Sequence, residues 1–349
     1  MLFSSVLTTN LTDNFENQLM QNGKATGCKV DRLVNVLLSH RGIFLNQEKF
    51  LKKLEISSKG LLRLFSQVRQ EGLCLEEVTG RGWRLKRLPD WLLGSMVQPH
   101  LRSTYFGQRI HHYFRVGSTN EIAHQLALEG VPEGTVVVAE EQIHGRGRLG
   151  RSWLSQKGRD IILSLVLRPS LSPCEVSCLN LVVGLAASKA IRAVSGLATD
   201  LKWPNDVLVR KKKCCGILTE MNAQSDHIDY LIVGLGINVN GISVPKVIAD
   251  KASTLRRESG RLLPRNILVA EFLYYLESLY LNFLRNGMQA LLDDWIENSS
   301  YATGKQVKIQ QLGRCVQGIT MGLNRQGVLF IRRVDGQIEK VMTGDLVQW

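Results

Sequence analysis

At 349 residues and 44% hydrophobic content, the chain is long enough for two or three domains with buried cores, which excludes a disordered protein or one small domain. Its 44 Lys and Arg against 31 Asp and Glu give a formal charge of +13, which points to anionic partners such as nucleic acid, nucleotides or acidic protein. No apolar run reaches the roughly 20 residues of a membrane span, and residues 1–7 lack the basic start of a secretory leader, so no membrane partner and a cytoplasmic location are expected.

Residues 1–27 are polar and predicted to form a poorly ordered extension. From Lys29 onward Leu33, Val36 and Leu37 recur at helical spacing, and Arg41-Gly42 closes that helix. Asn46 opens a second helix with Phe50, Leu51 and Leu54 inside. Ser57 or Ser58 caps a third, whose Leu61, Leu64, Phe65 and Val68 share one stripe and which stops at Gly72. Residues 73–77 and 83–85 are β-prone and flank Thr79-Gly80-Arg81-Gly82, a hairpin with a basic tip. A helix-turn-helix over about Gln47 to Ser66 followed by a hairpin predicts a winged helix. For DNA, the third helix would enter the major groove with Ser58, Lys59, Arg63 and Ser66 outward and Arg81 near phosphates. Leu62 shares that face; it makes no base-edge hydrogen bond but can touch a thymine methyl. A winged helix that packs only against protein is the alternative.

Residues 89–105 carry two prolines, Gly94 and Ser95 with weak periodicity, and read as a linker. Beyond it strands alternate with helices. Residues 110–116 are strand-like, and Ser118-Thr119-Asn120-Glu121 either caps a helix containing Ile122, Ala123 and Leu126 or holds a small polar ligand. A strand over 135–142 feeds Gly145-Arg146-Gly147-Arg148-Leu149-Gly150-Arg151, then Ser152-Trp153. Glycines let the backbone approach a ligand while guanidinium forks face an anion, so this loop is a phosphate or carboxylate cradle or, alternatively, a basic surface run.

Ile161–Leu167 is a buried strand and 174–195 an apolar helix. Asp200-Leu201-Lys202-Trp203-Pro204-Asn205-Asp206 reads as a strand interrupted where a ligand is met. The seven cysteines are scattered, and Cys174 with Cys178 or Cys214 with Cys215 lack zinc-site spacing, so free buried thiols and no protein metal site are expected. Strands over 215–221 and 230–233 end in Gly234-Leu235-Gly236-Ile237-Asn238, which lacks the third glycine of a dinucleotide fingerprint. Helices over 264–286 and 288–297 precede four or five short β-prone runs after 304, a small antiparallel barrel.

In this order the features resemble one family: the bifunctional biotin protein ligase that is also the biotin operon repressor. The similarity starts at about Val30 and rests on Gly117-Ser118-Thr119-Asn120, Gln142 ahead of the arginine–glycine loop, Lys202-Trp203-Pro204-Asn205-Asp206, Lys213 with Gly216-Ile217-Leu218, and Gly236-Ile237-Asn238. It implies an α+β multidomain chain: a winged helix-turn-helix at 28–88, a linker at 89–105, a mixed α/β, class II synthetase-like ligase core at 106–302, and an SH3-like β-barrel at 303–349. It also implies a two-step acyl transfer, in which biotin and ATP, with Mg²⁺, give biotinyl-5′-adenylate and the biotin then passes to a lysine of a biotin acceptor domain of acetyl-CoA carboxylase.

By resemblance Lys202, Arg146 and Arg148 are catalytic, and Ser118, Thr119, Asn120, Gln142, Arg146, Gly147, Arg148 and Lys202 surround biotin. Gly145, Gly150, Trp153, Asn205, Lys213 and Asn238 meet the adenylate, with Trp153 either on the adenine or in the core. Asp206 is a candidate Mg²⁺ ligand or a turn former, and His111, His112 and His144 are structural or surface residues. An adenylate-ordered loop would favour a homodimer that fits two-fold operator DNA. Departures are Leu149 where some members carry a basic residue, Leu62 and Leu64 in the third helix, and the absence of tryptophan between Gly241 and Gly260. Rival readings are a lipoate or octanoate ligase, a non-catalytic regulator, and a ligase whose winged helix is an interaction module.

Overall fold

The computed structural model describes residues 28–223, 227–311 and 313–348; the extension expected over 1–27 lies outside them. A helical unit opens the described chain: α1 (28–39), α2 (Gln47–Leu54) and α3 (Ser58–Gln70), then a hairpin of β1 (Cys74–Val78) and β2 (Gly82–Arg87). The Asn46 side chain accepts the Lys49 N–H at 3.1 Å and Ser57 accepts that of Gly60 at 3.2 Å, each cap worth about 1 kcal/mol. Phe50, Phe65 and Trp83 meet edge-on or tilted at 5.1–6.2 Å in a core shared with Val30, Leu33 and Leu37. Leu64 belongs to that core, so it is not a departure on an outward face; Leu62 is, at 57% exposed.

The segment 89–105 is not the loose linker its prolines suggested. Trp91, Leu92 and Leu93 are buried, and a single turn, α4 (Gly94–Val97), follows. Three adjacent large apolar side chains gain more from burial, about 1.5–3 kcal/mol each, than a solvated linker offers.

The central unit is a seven-stranded mixed sheet. Its strands are β3 (Ile110–Tyr113), β4 (Val136–Ala139), β5 (Ile161–Leu167), β6 (Asp200–Lys202), β7 (Asp206–Val209), β8 (Lys212–Ala223) and β9 (Ile228–Ile237), in the order β3-β4-β5-β9-β8-β7-β6. Only β3 and β4 run parallel, and α5 (Thr119–Leu128) crosses between them over one face. The other face is covered by α6 (Val176–Ser195) and α8 (Arg265–Asn286), so β4 and β5 are buried along their whole length. Both helices have the length and composition to cross a membrane, which the sequence reading did not anticipate; their apolar windows are 72% and 50% buried against protein.

Between them in sequence lies the short α7 (Leu255–Ser259), and α9 (Gln289–Glu297) follows α8. The chain closes with a five-stranded antiparallel sheet of β10 (Thr303–Gln311), β11 (Arg314–Leu323), β12 (Leu329–Arg332), β13 (Ile338–Val341) and β14 (Asp345–Gln348), ordered β13-β12-β11-β10-β14. Its Val307, Ile309, Leu329 and Val341 join the central core rather than forming a separate one. Cys214 and Cys215 are buried free thiols as expected, and Cys178 is buried as well, whereas Cys28 and Cys315 are exposed. Burial pushes the Cys214 thiol up to about 12, which makes it a poor nucleophile at neutral pH.

The units meet at one buried ion cluster. Arg265, fully buried at the start of α8, donates to Glu140 Oε2 at 2.9 Å, Asp90 Oδ2 at 3.1 Å and the Asp160 carbonyl at 2.8 Å. Glu140 Oε1 accepts the Leu92 N–H at 2.8 Å and faces His112 Nε2 at 3.1 Å, which gives that histidine a structural role. Burial alone would raise the Glu140 pKa; Arg265 and His112 hold it down at about 2. A lowered pKa means stability that is full above about 4.5 and lost as pH falls toward 2. Glu140→Gln should therefore lower stability by about 3–5 kcal/mol at pH 7, with the gap from wild type shrinking between pH 4.5 and 2 in urea titrations; a gap that does not change with pH contradicts this account.

Candidate active site

One cavity collects residues from five separated segments: Ser118, Thr119 and Asn120, then Gln142, then Arg146, Gly147, Arg148 and Trp153, then Asn205, and last Lys213. Its floor is made by absent side chains. Gly216 pairs with Gly236 and Leu218 with Gly234 across β8 and β9, so three glycines open toward the same side of the sheet. A Cβ at Gly236 would lie 2.3 Å from Trp153 Cε2, and one at Gly234 2.5 Å from Asn120 Oδ1. The indole and the amide lie against bare backbone, and Trp153 Nε1 is buried with no hydrogen-bond partner.

The wall at the start of α5 is polar and ordered. Ser118 occupies the N-cap position without a side-chain cap bond, and Glu121 pairs with Arg146 instead of closing a capping box. That frees the serine for the cavity. Gln142 Oε1 accepts the Thr119 N–H at 2.8 Å, and Ser164 Oγ lies 2.8 Å from Thr119 Oγ1 and 2.6 Å from Asn120 Oδ1. The Asn120 Nδ2 donates to Glu220 at 2.5 Å, so both ends of its amide are held by protein.

The arginine–glycine loop is a closed excursion. Trp153 N–H donates to the Gly145 carbonyl at 2.8 Å and Gly147 N–H to the Arg151 carbonyl at 2.7 Å, while Leu149 and Gly150 both take left-handed backbone at the tip. Leu149 is an uncommon residue there, costing on the order of 1 kcal/mol, and it is 57% exposed. The C-terminal sheet grips the loop: Arg148 donates to Asn205 Oδ1 at 3.1 Å and the Gly344 carbonyl at 3.3 Å, and Arg151 pairs with Asp345. Burial pushes the Arg148 pKa down despite Asp345 and Asp206 nearby.

Lys202, paired with Asp206 across the β6–β7 turn, stands beside the cavity rather than in its lining. Burial lowers its pKa, and Asp206 opposes that. Asp206 itself is held by Lys213 at 2.6 Å, and Lys213 Nζ also sits 5.5 Å over the Trp153 ring. Gly145 and Gly150 shape the loop without lining the cavity, and Asn238 turns elsewhere, its Nδ2 donating to the Ser253 carbonyl at 3.2 Å. Asn238 instead borders a second, smaller cavity with Asp160, Gln156 and Thr254. No group of three or more His, Cys, Asp or Glu side chains able to hold a metal occurs among the described residues. On the N-terminal unit Ser58, Lys59, Arg63 and Ser66 are exposed on α3, and the Arg81 guanidinium stacks 4.5 Å over Phe44.

Sequence reasoning missed Ser164, Glu220, Asp345 and the purpose of Gly234. The signal for Gly234 was present, since glycines at 234 and 236 of one strand share a face; the other three depend on contacts made by segments 44 to 194 residues away.

Residues 113–238 match the biotin/lipoate A/B protein ligase family. The chain is 34% identical to the bifunctional ligase/repressor BirA of Bacillus spizizenii over 87% of its own length and 93% of that protein. It is 34% identical to the biotin–[acetyl-CoA-carboxylase] ligase of Mycobacterium tuberculosis over 67% of this chain and 86% of the relative. Among solved structures, the biotin protein ligase of Aquifex aeolicus in complex with biotin and ATP superposes with a TM-score of 0.61 at 32% identity, covering 69% of this chain and 98% of that one.

The glycine floor makes a direct prediction. Gly236→Ala should destabilise by about 1–3 kcal/mol because its methyl enters the space of the Trp153 indole, and Trp153→Ala in the same chain should remove most of that penalty. Additive losses in thermal denaturation would show that the two do not touch.

Proposed function

We propose that this chain, which belongs to the biotin protein ligase family, activates biotin with ATP and passes it to a lysine of a biotin carboxyl carrier domain. The observation that carries the reading is convergence: the residues of five separate motifs line one cavity with hydroxyls and amides on one wall and cations at the other. The closed end, with Ser118, Thr119 and Gln142, suits the N–H and carbonyl groups of a ureido ring. A dithiolane offers no such groups and would leave that wall unpaired, which weighs against lipoate.

In the first step the biotin carboxylate attacks the α-phosphorus and pyrophosphate leaves; in the second the acceptor amine attacks the acyl carbon of the mixed anhydride and AMP leaves. Negative charge crowds the reacting centre in both. Arg146 and Arg148 bring paired N–H donors, Gly147 adds a backbone amide, and Lys202 is the ammonium nearest the carboxyl–phosphoryl junction in this reading. The smaller cavity at Asn238 and Asp160 is our candidate for the adenine, with Gly145 and Gly150 letting the loop close over it. Mg²⁺ bound with ATP supplies charge neutralisation; lacking an all-protein cage among the described residues, it would rest on phosphate oxygens and water, with Asp206 the carboxylate at hand. The thiols take no part.

We further read 28–88 as a winged helix that binds operator DNA when the adenylate-loaded chain pairs with a second copy, and 303–349 as an SH3-like barrel, in a cytoplasmic protein. The exposed Lys59, Arg63 and Arg81 support the DNA reading. The exposed Leu62 favours a second one, a winged helix that meets protein.

Biotin-dependent ATP–pyrophosphate exchange tests the chemistry: the wild type should exchange and Lys202→Ala should lose about 100-fold or more. Biotin binding without exchange in either would make the chain a sensor. For the assembly, gel filtration should show the mass doubling on addition of biotin and ATP together, and an unchanged mass would remove the dimer from the scheme.

A further inference from the structure

The smaller cavity has walls from two distant parts of the chain: Leu154, Ser155 and Gln156 on one side, Asn238, Val244 and Thr254 on the other. Asp160, buried between them, ties the two together. Its Oδ2 accepts the Gln156 N–H at 2.7 Å and its Oδ1 accepts the Val239 N–H at 3.0 Å. Two neutral bonds run alongside, from the Asn240 N–H to the Arg159 carbonyl at 2.9 Å and from the Gln156 side-chain amide to the Ser243 carbonyl. Those at Asp160 are charge-assisted and roughly twice as strong. A carboxylate offers an acceptor to each wall, whereas a carboxylic acid turns one oxygen into a donor and must let one N–H go. Ser155 Oγ, buried on the first wall with no hydrogen-bond partner among the described residues, sits next to the Gln156 end of this clasp.

We propose that Asp160 is a positioning residue for the nucleotide: with both oxygens spent on backbone, it acts by holding the two walls at the separation a purine needs. This rests on the reading of the smaller cavity as the adenine site. The charged group facing Asp160 is Arg265, at the start of α8, whose Nη1 donates to the Asp160 carbonyl at 2.8 Å. Glu140 from β4 and Asp90 from the segment leaving the N-terminal unit answer Arg265, α7 brings Arg256 to the Asn240 carbonyl at 3.5 Å, and Lys157 and Arg159 on the same turn are exposed. Burial outweighs both N–H groups and Arg265 and pushes the Asp160 pKa up to about 6. A raised carboxyl pKa means that protonation favours the folded chain, so a clasp that opens in mild acid is not acid unfolding. The Glu140 pair, held down at about 2, gives way only below about 4.5, outside the range from about 7.5 to 5.

Adenosine, which carries no titrating phosphate, is the probe, used as a competitor of ATP in biotin-dependent pyrophosphate exchange by the full chain. In the wild type its Ki should rise about tenfold from about pH 7.5 to about pH 5, following the fall in ionised Asp160. Asp160→Asn keeps one acceptor and sets an NH₂ against the other N–H, so its Ki should be about tenfold weaker at pH 7.5 and stay level with pH. Its biotin Kd by calorimetry should match the wild type. A wild-type Ki that does not change with pH, an Asp160→Asn Ki that changes as the wild type's does, or a biotin affinity that falls along with that for adenosine each overturns the role, and the first of these needs no variant to fold. Adenosine that competes at neither pH overturns the adenine reading of the cavity and the role with it, and leaves the biotin chemistry standing.

Discussion

Arg265 carries a charge into a place where no water reaches its side chain, and the layout of the molecule answers that charge. Its partners come from three directions: Glu140 at the end of β4, Asp90 from the segment leading out of the N-terminal unit, and the Asp160 carbonyl at the edge of β5. A buried ion cluster of this kind adds little net stability over a well-packed apolar core, but removing one member leaves an uncompensated charge, so it penalises every arrangement in which its parts do not meet. Here it fixes where the N-terminal unit leaves the core. Because Glu140 sits two residues before Gln142, it also sets where β4 releases the chain into the arginine–glycine loop.

Local signals were the legible part. Caps at Asn46 and Ser57, the apolar stripe of α3, the buried run of β5 and the punctuation of the last strands follow from side-chain chemistry within a few residues, and they placed most elements to within a few positions. The motifs also fell together, since Ser118, Gln142, Arg148, Asn205 and Lys213 do line one cavity. What failed was whatever depends on a distant partner. Glu121 looked like half of a capping box because nothing nearby in sequence shows that Arg146 will take it. Two prolines marked 89–105 as a linker because the burial of Trp91 in the N-terminal core and of Leu92 in the central core is decided by segments distant in sequence. Asn238 belonged to a motif that met the main cavity elsewhere, yet its own amide turns to the Ser253 carbonyl and borders the smaller cavity.

The C-terminal sheet illustrates the same limit at the scale of a domain. Read alone, its short strands say nothing of chemistry. In place, the turn into β14 offers Thr343, the Gly344 carbonyl and Asp345 to the two arginines at the far side of the loop. A loop with three glycines and two left-handed residues at its tip has little internal reason to hold one shape, so its geometry is lent by that contact and by the Arg146–Glu121 pair at its near side. Position along the chain thus hides a joint site: residues almost 200 apart settle one guanidinium.

Charge around the cavity is unevenly matched. Arg148, Arg151, Lys202 and Lys213 share two carboxylates, Asp206 and Asp345, and two of the four cations have their pKa values lowered by burial. Cations held close together repel one another, and burial adds to the cost of the charges on Arg148 and Lys202. An anion entering between them relieves repulsion and desolvation at once, and it does so most where charge is densest. A polyphosphate meeting a carboxylate concentrates more negative charge at its reacting junction than either reactant does alone. In the proposed reaction such a site would bind the junction better than the separate ligands, which is the condition for accelerating the step that joins them.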